Sequence, residues 1–137
     1  MDRVFVDTSA WYALTDRGDP DHRAVAAWLA QNRFALVTSN FVVDEILTLL
    51  LVRLGHRVAV RFAEKLRKSR LCTVVAVDGS DEEQAWERFR RASDKLWSFT
   101  DCTSFALMTR LGLMTAFAFD DHFRQAGLHV VPSSPGA

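Results

Sequence analysis

Residues 3–9 read Arg3-Val4-Phe5-Val6-Asp7-Thr8-Ser9, and residues 115–120 read Thr115-Ala116-Phe117-Ala118-Phe119-Asp120. Each holds an unbroken apolar run that ends in a carboxylate. A strand with one face in water alternates apolar and polar residues, whereas a strand covered on both faces is apolar throughout. Working outward, Phe34 to Thr38, Cys72 to Val77 and His129 to Val131 have the same short, apolar character. Segments of helical period lie between them. The pattern predicts an α/β fold of one domain over residues 1–131, with a short, parallel, five-stranded sheet and helices on both faces. Such sheets bind ligands beyond the carboxyl ends of their strands, near a switch in strand order. Asp7 and Asp120 fall at two of those ends.

The expected helices follow from periodicity and punctuation. Thr8 and Ser9 cap a helix through Leu14, and Asp21 begins one through Gln31 whose apolar face is Val25, Trp28 and Leu29. Asn40 caps a helix to about Leu54. Gly55 breaks it from the next, His56 to Ser69. Asp81 to Leu96 is amphipathic, with Ala85, Trp86, Phe89 and Ala92 as its apolar face. Asp101 opens a helix that ends at Gly112, and Asp121 to Gln125 is a helical turn. Residues 132–137, Pro132-Ser133-Ser134-Pro135-Gly136-Ala137, are expected to form a flexible tail.

Composition narrows the function. The 137 residues are 49% apolar and 25% charged, the balance of a folded domain with a sizeable core. Lys plus Arg and Asp plus Glu both number 17, so any nucleic-acid contact must come from a local patch rather than bulk charge. Cys72 and Cys102 have no metal-ligand spacing and read as free, buried thiols of a reducing compartment. No run approaches the ~20 apolar residues of a membrane span. The expectation is a cytoplasmic protein without membrane contact.

Four acids then need explaining. Asp7 ends the first strand, and Thr8 and Ser9 could relieve it of capping. Glu45 shares a helical face with Phe41, Val42, Thr48 and Leu49, so it should point inward. Asp101 stands at a helix start, where Ser98 and Thr100 compete for the cap and the dipole favours an acid in any case. Asp121 is placed to cap the turn before Phe123, which leaves Asp120 at its strand end. Each has a structural alternative: a buried ion pair for Glu45, a plain cap for the others. Gathered carboxylates cost desolvation and repulsion unless a cation neutralises them, which points to a divalent metal. Hard oxygen donors suit Mg²⁺ or Mn²⁺, and no His/Cys cluster favours zinc. His122 reads as a surface residue.

The order of strand-end Asp, mid-helix Glu, helix-start Asp and strand-end Asp resembles the PIN-domain nucleases, and among them the VapC-type toxins of toxin–antitoxin pairs. The matching segments are Val6-Asp7-Thr8-Ser9-Ala10, Ser39-Asn40 to Glu45, Ser98-Phe99-Thr100-Asp101-Cys102 and Ala116 to Phe123, spread over essentially the whole chain. The resemblance implies that Asp7, Glu45, Asp101 and Asp120 hold Mg²⁺ or Mn²⁺ and carry catalysis. It implies Thr8, Ser9 and Thr100 as supporting hydroxyls, with Asp121 sharing or replacing the role of Asp120. It further implies an RNA substrate, a cognate antitoxin and a homodimer.

Arg53, Arg57, Arg61 and Lys65 recur at helical spacing, with Lys68 beyond, and could track RNA phosphates or simply form a solvated helix face. Trp11 and Tyr12 could stack bases or dock an antitoxin, or belong to the core. Two other functions stand beside the nuclease. A haloacid-dehalogenase-like phosphatase would want an Asp where Ser9 stands. A catalytically inactive PIN-like RNA-binding or interaction module would keep the fold without the chemistry.

Overall fold

The computed structural model describes residues 3–132. In chain order it contains β1 (Arg3–Val6), α1 (Thr8–Thr15), α2 (His22–Gln31), β2 (Ala35–Ser39), α3 (Asn40–Leu54), α4 (His56–Lys68) and β3 (Cys72–Val75). It continues with α5 (Gly79–Arg91), α6 (Phe99–Leu111), β4 (Thr115–Phe117), α7 (His122–Gln125) and β5 (His129–Val131). All five strands pair in parallel, in the order β3-β2-β1-β4-β5. The expected sheet is therefore present. The chain runs outward one way from β1 to β2 and returns on its other side with β4, so the switch in strand order lies between β1 and β4. Except for Pro132, the expected tail lies outside the described residues.

The central strands are dry. Val4, Phe5, Val6, Val37, Ala116 and Phe117 are all buried, as unbroken apolar runs require. A polar cross-tie holds β1 to its neighbours. The Thr38 hydroxyl donates to the Val6 carbonyl at 2.9 Å and accepts from the Trp11 indole at 3.2 Å. Trp11 is buried edge-on against Phe62, the core placement of the two that its sequence allows.

Several boundaries moved, each for a local reason. Ser39, not Asn40, caps α3, its Oγ accepting from the Val42 amide at 3.0 Å. The Asn40 Oδ1 instead accepts from the Val77 amide at 2.8 Å, after β3 has ended at Val75. Helix α5 starts at Gly79 because Asp78 and Asp81 form a reciprocal capping box, and it ends at Arg91 rather than Leu96. The following segment turns Trp97 onto Phe105 with ring centroids 5.1 Å apart. Of the expected apolar face of α5, Ala85 is buried, but Trp86 and Phe89 are about half exposed.

Gly55 takes φ 95°, a conformation that favours glycine, and separates α3 from α4. The basic stripe drawn across it as one helical face is therefore split. Arg53 closes α3, whereas Arg57, Arg61 and Lys65 belong to α4.

Candidate active site

Asp7 follows β1 directly and is 2% exposed. Contrary to expectation, it does cap α1: its Oδ2 accepts from the Ser9 amide at 3.2 Å and from the Ser9 hydroxyl at 2.7 Å. Only one oxygen is used this way. Asp7 Oδ1 and Thr8 Oγ1 are both buried without a hydrogen-bond partner among the described residues. An orphaned carboxylate oxygen is costly, and the pKa reflects it. Burial first, then the charges of Asp120 and Asp101, push the Asp7 carboxyl up to about 7 against the pull of Ser9.

Asp101 comes from the opposite side of the sheet switch. Ser98 caps α6 and Asp101 occupies the third helical position of a capping box, its Oδ2 accepting from the Ser98 amide at 3.0 Å. That settles the competition for the cap in favour of Ser98. Thr100, in the same first turn, is half-buried.

Asp120 lies three residues beyond β4, which ends at Phe117 rather than Phe119. Its Oδ1 accepts from the His122 amide at 3.1 Å, so Asp120, not Asp121, ties the turn. Asp121 makes no side-chain cap, stands 79% exposed and pairs with Arg124 at 3.3 Å. Burial raises the Asp120 pKa; His122 opposes the rise and Asp101 and Asp121 add to it. His122 is also misjudged by the sequence reading. Its Nδ1 is 2.7 Å from Asp101 Oδ2 and 3.8 Å from Asp120 Oδ2. Its position two residues after a site acid was the available signal.

Asp7, Thr8, Ser9 and Asp120 line one depression of about 340 Å³. Tyr12, Arg53 and Leu49 complete its wall on the helical side, and Asp19 and Asp21 stand on the rim. Glu45 precedes Leu49 by one turn on α3. It is half-buried rather than fully inward, and makes no hydrogen bond or ion pair among the described residues. Arg53 is the cation of this depression, its guanidinium 5.1 Å from the Tyr12 ring centroid. Arg61 and Lys65 instead border a separate cleft of about 670 Å³ between α1, α2 and α4, and Arg57 lines neither.

The donors are all oxygen, and Asp7 Oδ1 is buried without a partner among the described residues. That chemistry fits a hard divalent ion. Among the described residues no three acidic, His or Cys side chains already form a metal cage, and Asp101 Oδ2 is taken by His122.

A PIN domain matches residues 4–128. The chain belongs to the PIN-domain family. Within that family it is a VapC-type member. It is 44% identical over 124 residues to the 23S rRNA-specific endonuclease VapC20 of Mycobacterium tuberculosis, across 90% of this chain and 94% of that protein. The crystal structure of VapC20, described as a sarcin–ricin loop cleaving toxin, superposes with a TM-score of 0.87 over 91% of this chain and 95% of that one, at 42% identity. FitAcB from Neisseria gonorrhoeae (TM-score 0.70, 19% identity, 94% and 96% covered) and the DNA-bound VapBC of Salmonella typhimurium (0.67, 12%, 95% and 97%) share the fold. The PIN fold accounts for the sheet order, and Asp7 and Asp120 line one depression beyond the ends of the adjacent strands β1 and β4.

Proposed function

We propose that this VapC-type PIN protein is a metal-dependent endoribonuclease toxin whose site is built by Asp7, Asp101 and Asp120, with Glu45 as the fourth acid. The carrying observation is the convergence of the three aspartates from β1, α6 and the β4–α7 loop, with Asp7 buried, unpartnered at Oδ1 and pushed up to about 7. A structural acid would be paired or hydrogen-bonded at both oxygens.

Asp7, Asp101 and Asp120 would hold Mg²⁺ or Mn²⁺, with Glu45 closing on the site from α3. A divalent ion there supplies an activated water and offsets phosphate charge. Ser9 locks Asp7, Thr8 brings a buried hydroxyl without a partner among the described residues to the wall of the depression, and Arg53 meets a phosphate of the incoming strand. Asp121, exposed and paired with Arg124, has no part in the cluster. The relative's printed specificity makes 23S rRNA, and its sarcin–ricin loop, the first substrate to test.

A cognate antitoxin is the proposed protein partner. The 670 Å³ cleft has an apolar floor and carries Arg17, Arg61 and Lys65 at its border, which suits an apolar segment with acidic flanks. Leu51 and Val52, exposed at the end of α3, support a homodimer. No helix is long and apolar enough to cross a membrane among the described residues.

The test is cleavage of 23S rRNA by the purified chain. We expect cutting with Mn²⁺ or Mg²⁺, loss of it in EDTA, and loss in Asp7→Asn and Asp101→Asn. Full activity in EDTA, or in either variant, overturns the reading. RNA binding without cleavage in any divalent metal supports the inactive module instead.

A further inference from the structure

His122 touches two of the site acids through different atoms. Its backbone N–H donates to Asp120 Oδ1 at 3.1 Å, and its ring Nδ1 lies 2.7 Å from Asp101 Oδ2. The residue therefore bridges the start of α7 and the start of α6, joining Asp120 to Asp101. We propose that His122 is a positioning residue for the metal site: its ring, donating from Nδ1, fixes one oxygen of Asp101 and so presents the other to a divalent cation. The proposal rests on the metal-dependent reading above.

The hydrogen-bond accounting supports it. Asp101 Oδ2 receives two donors, the Ser98 amide at 3.0 Å and His122 at 2.7 Å. Oδ1 receives none among the described residues. A carboxylate with one oxygen saturated and the other open has a defined orientation, the arrangement by which outer partners orient a ligand. A carboxylate acceptor requires the proton on Nδ1 whether the ring is neutral or charged, so the role does not depend on titration.

The ring is also rigidly carried. Phe123, the next residue, is fully buried, its ring centroid 5.0 Å from Phe105 and 6.2 Å from Phe5. Phe105 lies one turn beyond Asp101 on α6. Aromatic packing thus sets the register of α7 against α6, and that register brings Nδ1 to Oδ2. A site held on packed elements keeps its geometry better than one held on loops. The ring itself remains 28% exposed, so truncating it removes little core.

The experiment measures Mn²⁺ binding by electron paramagnetic resonance in the wild type, His122→Ala and His122→Asn. His122→Ala should raise the dissociation constant about tenfold. His122→Asn, whose amide can donate from near the Nδ1 position, should return it to within about threefold of wild type. With RNA, kcat should fall in the Ala variant while KM holds. In the metal-free wild type, nitrogen-edited NMR should show the ring proton on Nδ1, with its signal displaced in Asp101→Asn. Unchanged Mn²⁺ affinity in His122→Ala overturns this proposal alone, as does an Asn variant no better than Ala, or a ring protonated only at Nε2. Absence of Mn²⁺ uptake by the wild type overturns the metal-dependent reading and this proposal with it.

Discussion

The Phe119 amide donates to the Ser9 hydroxyl at 3.0 Å across 110 residues of chain, while the same hydroxyl donates to Asp7 Oδ2 at 2.7 Å. One side chain thus joins the end of β1 to the segment leaving β4, the two places where the strand-end acids emerge. Separation of those loops would separate Asp7 from Asp120.

Ser9→Ala removes both bonds and leaves the Phe119 amide without its partner. The expected loss of stability is about 1–2 kcal/mol. Activity should fall further than stability explains, because Asp7 loses its fixed orientation. Chemical denaturation and single-turnover cleavage on the same preparation check both. Wild-type cleavage by a stably folded Ser9→Ala would show the tie to be dispensable.

Asp7→Asn should abolish cleavage yet stabilise the metal-free protein near pH 8. The sign follows from linkage. The folded carboxyl titrates at about 7, above its ordinary 3.8, so folding favours the protonated form. That contribution is complete below about pH 4 and is lost as pH rises towards and through 7. Metal-free wild type should therefore lose on the order of 1 kcal/mol per pH unit across that window. Asp120, also raised, adds in the same direction. Melting temperatures at pH 5 and pH 8 in EDTA measure the slope, which Asp7→Asn should largely flatten.

Arg110→Ala tests the scaffold beneath Asp101. Its guanidinium grips Asp81 through Nε at 3.0 Å and Nη2 at 2.8 Å, and reaches the Ala76 carbonyl at 3.2 Å. Asp81 is 1% exposed, and the Arg110 bond holds its carboxyl below the usual range. Losing the exposed Arg110 leaves the Asp81 carboxylate with only its bond from the Asp78 amide, so the fold should lose stability. The penalty should appear in urea unfolding, and it should shrink as pH falls below the ordinary carboxylate range, where Asp81 is neutral in the unfolded chain.

Arg53→Ala should weaken RNA binding without unfolding the protein, since the residue is exposed and the cation over Tyr12 contributes about 1 kcal/mol at most. Loss of one phosphate contact reduces the salt slope of binding by about one. Binding of uncleaved RNA to Asp7→Asn and to the double variant, across salt concentrations, reads this directly. Identical slopes would remove Arg53 from the RNA path.

Thr38→Val should cost about 2 kcal/mol, because the buried Trp11 indole loses its acceptor and the Val6 carbonyl its donor. Val6 immediately precedes Asp7, so cleavage should weaken as well. A thermal melt with a parallel activity assay separates the two effects.

The chain's local patterns determined the elements, their parallel arrangement and the order of the four acids. Unbroken apolar runs report burial on both faces, and helical period reports a buried stripe; both are properties of neighbouring residues. Only the tertiary structure decided which polar groups meet. Asp7 caps α1 through Ser9, whose hydroxyl also accepts from the Phe119 amide just beyond β4. Asp120, not Asp121, lines the depression beside Asp7, and the turn after β4 uses its Oδ1. His122 reaches Asp101 because Phe105 and Phe123 set the register between two helices. Arg53 parts from the other basic residues because Gly55 redirects the chain. A hydrogen bond needs atoms placed to within a few tenths of an ångström, and that placement is fixed by packing between segments distant in sequence.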